Sequence, residues 1–106
     1  MNVPHFDTII HAPQRLQICA ILSQLMQVEF QVVRDELAVS DSVLSKHISQ
    51  LVEAGYVDQL KIKRDGRQRA MLSLSKKGKL AFTAHIESLQ ALAKLSDNSH
   101  SSNEDD

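Results

Sequence analysis

Three arginines, Arg64, Arg67 and Arg69, crowd around the dipeptide Asp65-Gly66, and a segment shortly upstream places Ser42, Val43, Ser45, Lys46, Ser49 and Gln50 on the outer side of an amphipathic pattern. The two sets suit duplex DNA. Guanidiniums at the tip of a tight turn can enter a narrow minor groove, where the potential is most negative. Short hydroxyl donors and acceptors with one ammonium and one amide can meet phosphates and base edges in a major groove. Lys46 and Gln50 are expected at base edges, Ser42 and Ser45 at phosphates, and Arg67 as the leading contact of the turn; only Glu53, one helical turn further on, carries the wrong charge.

Both sets need rigid elements beneath them. Leu44, Ile48, Leu51 and Val52 form one apolar stripe, Ser40 stands where a helix N-cap belongs, Asp41 adds favourable charge to the first turn, and Gly55 is a helix stop. A helix therefore runs from Asp41 to about Ala54. Ahead of it, Val33 and Leu37 are the buried side of a two-turn helix, with Val39 plugging the turn between the two. Further upstream Leu16, Ile18, Ile21, Leu22 and Leu25 recur at helical spacing behind Pro13, giving a core helix to Met26. Phe6, Ile9 and Ile10 suggest a short helical lead-in, and Glu29 to Val32 a short strand.

Downstream, Val57, Leu60 and Ile62 alternate with one slip of phase, which a bulge or a late strand start near Gln59 would explain. Asp65-Gly66 is a hairpin signal, and Met71 to Leu74 is the returning strand. Ser75 caps a last helix, Lys76 to Leu95, roughly 30 Å long at 1.5 Å per residue. Its stripe of Phe82, Ile86, Leu89, Leu92 and Leu95 outlasts what so small a domain needs to close its core, so these residues are expected to meet a second copy, helped by Phe6, Ile9 and Ile10. Residues 1–95 then make one domain, and 96–106 a disordered acidic tail.

Composition agrees with such a plan. A chain of 106 residues, 42% hydrophobic and without tryptophan, builds one modest aliphatic core. The net charge of −1 hides an uneven distribution: Lys61, Lys63, Arg64, Arg67, Arg69, Lys76, Lys77 and Lys79 are opposed locally by Asp65 alone. Cys19 has no partner for an intrachain disulfide and reads as a small core residue. His5, His11, His85 and His100 lack mutual ligand spacing, and His47 reads as a packing or phosphate-contacting residue, so no metal or other cofactor is expected. No nucleophile, base and oxyanion arrangement stands out, and no segment suggests a signal peptide or a membrane span; a cytoplasmic, nucleoid-associated non-enzyme is expected.

Arg15-Leu16-Gln17-Ile18, the run from Leu37 to Val57, Asp65-Gly66-Arg67 and Leu74-Ser75-Lys76-Lys77-Gly78 together resemble the winged-helix transcriptional regulators of the MarR and ArsR type, over residues 13 to about 82. The resemblance implies a mainly α fold with a small β-hairpin wing, a homodimer, double-stranded DNA as partner, the third helix in the major groove and the wing along the minor groove. The paired cysteines of ArsR-type metal sensors are missing, and MarR-type proteins are longer, which points to a short winged-helix subgroup with its effector unknown. The alternatives are a winged helix that docks proteins, and a ligand- or metal-responsive sensor with DNA binding as its output.

Overall fold

The computed structural model describes residues 6–104. Along them run α1 (Thr8–His11), α2 (Pro13–Gln24), β1 (Val28–Glu29), α3 (Phe30–Leu37), α4 (Asp41–Glu53), β2 (Val57–Arg64), β3 (Arg67–Leu74) and α5 (Lys76–Glu104). The strands form one antiparallel sheet in the order β1-β3-β2. This is the mainly α architecture with a hairpin wing that the sequence predicts, with α3 and α4 as its second and third helices.

Local chemistry accounts for most boundaries. Pro13 starts α2, where its missing N–H costs nothing. Ala38 closes α3 in the left-handed region at φ 54°, its N–H reaching the Arg34 and Asp35 carbonyls. Ser40 Oγ accepts from Val43 N at 3.2 Å and caps α4. Gly55, at φ 82°, takes the conformation that ends α4, and Tyr56 N donates back to the Leu51 carbonyl. Asp65 and Gly66 both have positive φ, 53° and 76°, as a two-residue hairpin turn with the right-handed twist of its strands requires. Ser75 Oγ accepts from Gly78 N at 2.9 Å and donates to the Gly55 carbonyl, so one hydroxyl caps α5 and ties it to the end of α4.

Several expectations are corrected. The first strand is Val28–Glu29 only, and the chain is helical from Phe30 rather than Val33. The hairpin pairs without interruption from Val57↔Leu74 to Arg64↔Arg67, so no bulge occurs near Gln59. Leu60 and Ile62 instead sit across from Met71 and Arg69, and Leu60 is 54% exposed; the hairpin leaves the core early, and burial no longer dictates its alternation. Helix α5 runs to Glu104 instead of stopping at Leu95, because no Gly or Pro follows to terminate it. Expectations placed on His5, Asp105 and Asp106 lie outside the described residues.

The core gathers Ile18, Cys19 and Leu22 of α2, Val33 of α3, Leu44, Ile48 and Leu51 of α4, and Val57, Leu72 and Leu74 of the hairpin. Each fully buried Leu or Ile contributes about 1.5–3 kcal/mol, which anchors α4 from behind. Val52 departs from the expected stripe at 40% exposure. Ile10 is fully buried and so is not left over for a second copy, while Phe82 is half-buried against the chain's own core. Burial pushes the Cys19 thiol up to about 11, which keeps it protonated as an apolar core group.

Candidate nucleic-acid interface

With Leu44, Ile48 and Leu51 turned inward, α4 presents Ser42, Val43, Ser45, Lys46 and Ser49 to solvent. Asp41, the acid at its start, is held by Arg34 Nη1 at 2.7 Å. The outward face is therefore a row of short hydroxyls with one ammonium.

The hairpin separates its arginines by environment. Glu29 on β1 accepts from Arg64 Nη1 at 3.3 Å and from Arg69 Nη1 at 3.5 Å, and Arg69 also reaches Gln31 Oε1 at 3.4 Å. Arg69 is half-buried, its Nε enclosed without a hydrogen-bond partner. Arg67 stands directly across from Arg64 in the last strand pair and is exposed, with no ion pair to it among the described residues. Like charges facing each other across a hairpin are unfavourable unless an anion lies between or beside them. Arg64 and Arg69 share one carboxylate, and of the three arginines Arg67 is the one with no carboxylate partner among the described residues.

Gln50 is placed differently from its neighbours. Its Oε1 accepts from Arg15 Nη1 of α2 at 2.6 Å, and it is half-buried. The same guanidinium donates through Nε to the Ile9 carbonyl at 2.5 Å and lies 3.5 Å from His47 Nδ1, while His47 Nε2 is 2.8 Å from Gln14 Oε1. These bonds assign His47 the neutral tautomer with its proton on Nε2. Burial, then Arg15 and Lys46, hold its pKa below the usual imidazole value. His47 is thus a packing residue on the flank of α4.

A second polar network, not visible in the sequence, joins α1, α5 and Tyr56, the residue just before β2. His85 of α5 is 1% exposed. Asp7 N donates to its Nδ1 at 3.3 Å, so in the neutral ring Nε2 carries the proton and donates to His11 Nδ1, 3.2 Å away. Phe6 stacks on His11 with ring centres 4.8 Å apart. The Asp7 carboxylate caps α1 through the Ile9 and Ile10 amides and accepts from the Tyr56 hydroxyl at 2.5 Å. That bond, then burial, pushes Tyr56 up to about 12. Burial and the neighbouring His11 lower the His85 pKa, against a smaller opposing effect of Asp7. The two histidines lie 74 residues apart in the chain, and no spacing rule would pair them.

Of the residues expected at a dimer contact, Ile86 and Leu89 are half-buried, while Leu92 and Leu95 are 46% and 51% exposed. No helix among the described residues is long and apolar enough to cross a membrane.

A helix-turn-helix with an exposed polar face, followed at once by an arginine-tipped hairpin, defines a winged-helix DNA-binding protein. The comparison with known families agrees: residues 14–93 match the winged helix DNA-binding domain, and the chain belongs to that family. It is similar to the Methanocaldococcus jannaschii protein MJ0432, 30% identical over 86 residues that make up 81% of this chain and 94% of that one. Among solved structures, a transcriptional regulator homologue from Pyrococcus horikoshii OT3 aligns with a TM-score of 0.81 at 25% identity, covering 86% of this chain and 90% of its own. The PcaV transcriptional regulator of Streptomyces coelicolor, solved with its natural ligand, shares the fold at a TM-score of 0.68 and 19% identity, over 79% of this chain and 58% of its own. The winged-helix resemblance read from the sequence therefore holds, and the Pyrococcus horikoshii structure is that of a transcriptional regulator homologue.

Proposed function

We propose that the protein is a sequence-specific transcriptional regulator that binds double-stranded DNA as a homodimer, with α4 in the major groove and the wing against the minor groove. The observation that carries this reading is the division of charge in the hairpin. Glu29 pairs with both Arg64 and Arg69, offsetting one of their two charges, while Arg67 is exposed and without a carboxylate partner among the described residues at a tip fixed by Asp65-Gly66. Lys46, exposed on α4 among Ser42, Ser45 and Ser49, is the leading base contact, and the serines are suited to phosphate. Occupying its operator would block or modulate transcription.

Arg67→Ala tests the wing. Removing one phosphate or groove contact should weaken binding to selected and random duplexes alike and lower the slope of log affinity against log salt by about one unit. Fluorescence anisotropy across a salt series reads this directly. An unchanged slope would take the wing out of the interface, and the melting temperature should stay the same because the site is a hairpin tip.

A further inference from the structure

The outer face of α4 would read DNA, and the apolar stripe behind it sets which face points outward, but the hydrophobic effect is non-directional and a reading helix also needs a directional fix on its rotation. Direction comes from the flank. Arg15 Nη1 holds Gln50 Oε1 at 2.6 Å and lies 3.5 Å from His47 Nδ1, residues one helical turn apart on α4. Its Nε and Nη2 engage the Ile9 and Thr8 carbonyls of α1, and Gln14 secures the far side of the His47 ring. A planar guanidinium with its donors spread over two helices sets angle as well as distance, which a lysine ammonium does not reproduce.

We infer that Arg15 is a positioning residue for DNA recognition: it clasps Gln50 and His47, sets the rotation of α4, and leaves Gln50 as a prop for the helix instead of a reader of bases. The inference deepens the DNA-binding reading and rests on it. Gln50, which composition alone places beside Lys46 as a base contact, acts through Arg15. Arg15 itself touches no base and carries no sequence information.

A double-mutant cycle tests this on a duplex enriched by the unmodified protein from a random pool, with a random-sequence duplex as reference. Binding by the unmodified protein comes first: if it shows no salt-dependent duplex binding, the DNA reading itself has failed, apart from the clasp. Given binding, Arg15→Lys and Gln50→Ala should each weaken the enriched complex about 10-fold, and the double variant should lose about 10-fold as well, because both changes remove one interaction. Affinity for random duplex should hold within about twofold for the charge-preserving Arg15→Lys. Additive losses near 100-fold, or full retention by Arg15→Lys, would overturn the clasp. If Arg15→Lys fails to fold, Gln50→Ala alone decides through duplexes carrying every single-base change: a prop predicts uniformly weaker binding with the same preferred base everywhere, and lost preference at one position would make Gln50 a base reader.

Discussion

Replacing Leu89 and Leu92 together by glutamate should give folded monomers that bind their selected duplex about 100-fold or more weakly than the unmodified protein. The size follows from linkage. Two half-sites held by one dimer engage the second as an intramolecular event, an advantage of about 10²–10⁴ that vanishes when the protomers separate. The fold should survive, because Leu92 is already 46% exposed and the core is closed by α2, α4 and the hairpin. Helix α5 runs well past the part that packs on the domain, as Phe82 and His85 meet the protein while Leu92 faces water. Sedimentation and anisotropy on the same samples check both halves of the prediction. An unmodified protein that sediments as a monomer at tens of micromolar would remove the dimer from the account.

Gly78→Ala should cost about 3 kcal/mol, a large share of the stability of a small domain, and lower the melting temperature by about 15 °C. A Cβ at Gly78 would stand 2.0 Å from the Tyr56 carbonyl oxygen, a backbone atom already held by Ser75 N at 3.0 Å. Neither backbone can yield without prising α5 from the end of α4. Gly66→Ala is the control: its Cβ would meet nothing within 4 Å, so only the positive φ of 76° opposes it, at about 1 kcal/mol. Thermal melts of the two variants should therefore differ clearly, and equal small losses would mean that the two segments are less closely apposed.

What the sequence made legible was local. The Ser40 cap, the Gly55 stop, the Asp65-Gly66 turn and the Ser75 cap each depend on residues within a few positions, and the structure has all four. The outward face of α4 was legible for the same reason, since helical periodicity alone assigns Ser42, Val43, Ser45, Lys46 and Ser49 to one side. Gln50 shares that periodicity, but its environment is set by Arg15, 35 residues earlier, and no local rule could show it. Distance in the chain likewise concealed the pairing of His11 with His85 and the bond from Tyr56 to Asp7. The slip of phase at Leu60 signals no bulge, because alternation tracks burial only where a strand covers the core, and β2 does so at Val57. Apolar character says that a residue such as Ile10 is buried and not by which copy, and here the chain's own core covers it.

The most direct measurement is to let the unmodified protein select from a pool of random duplexes and to footprint it on the winners. A dimeric winged helix should select an inverted repeat whose half-sites lie about 10 base pairs apart or a multiple of that, with protection of the major groove at each half-site and of the adjoining minor groove where the wing lies. Failure to enrich any sequence, together with no salt-dependent binding to random duplex at micromolar concentration, would contradict it and leave the winged helix as a surface for docking another protein.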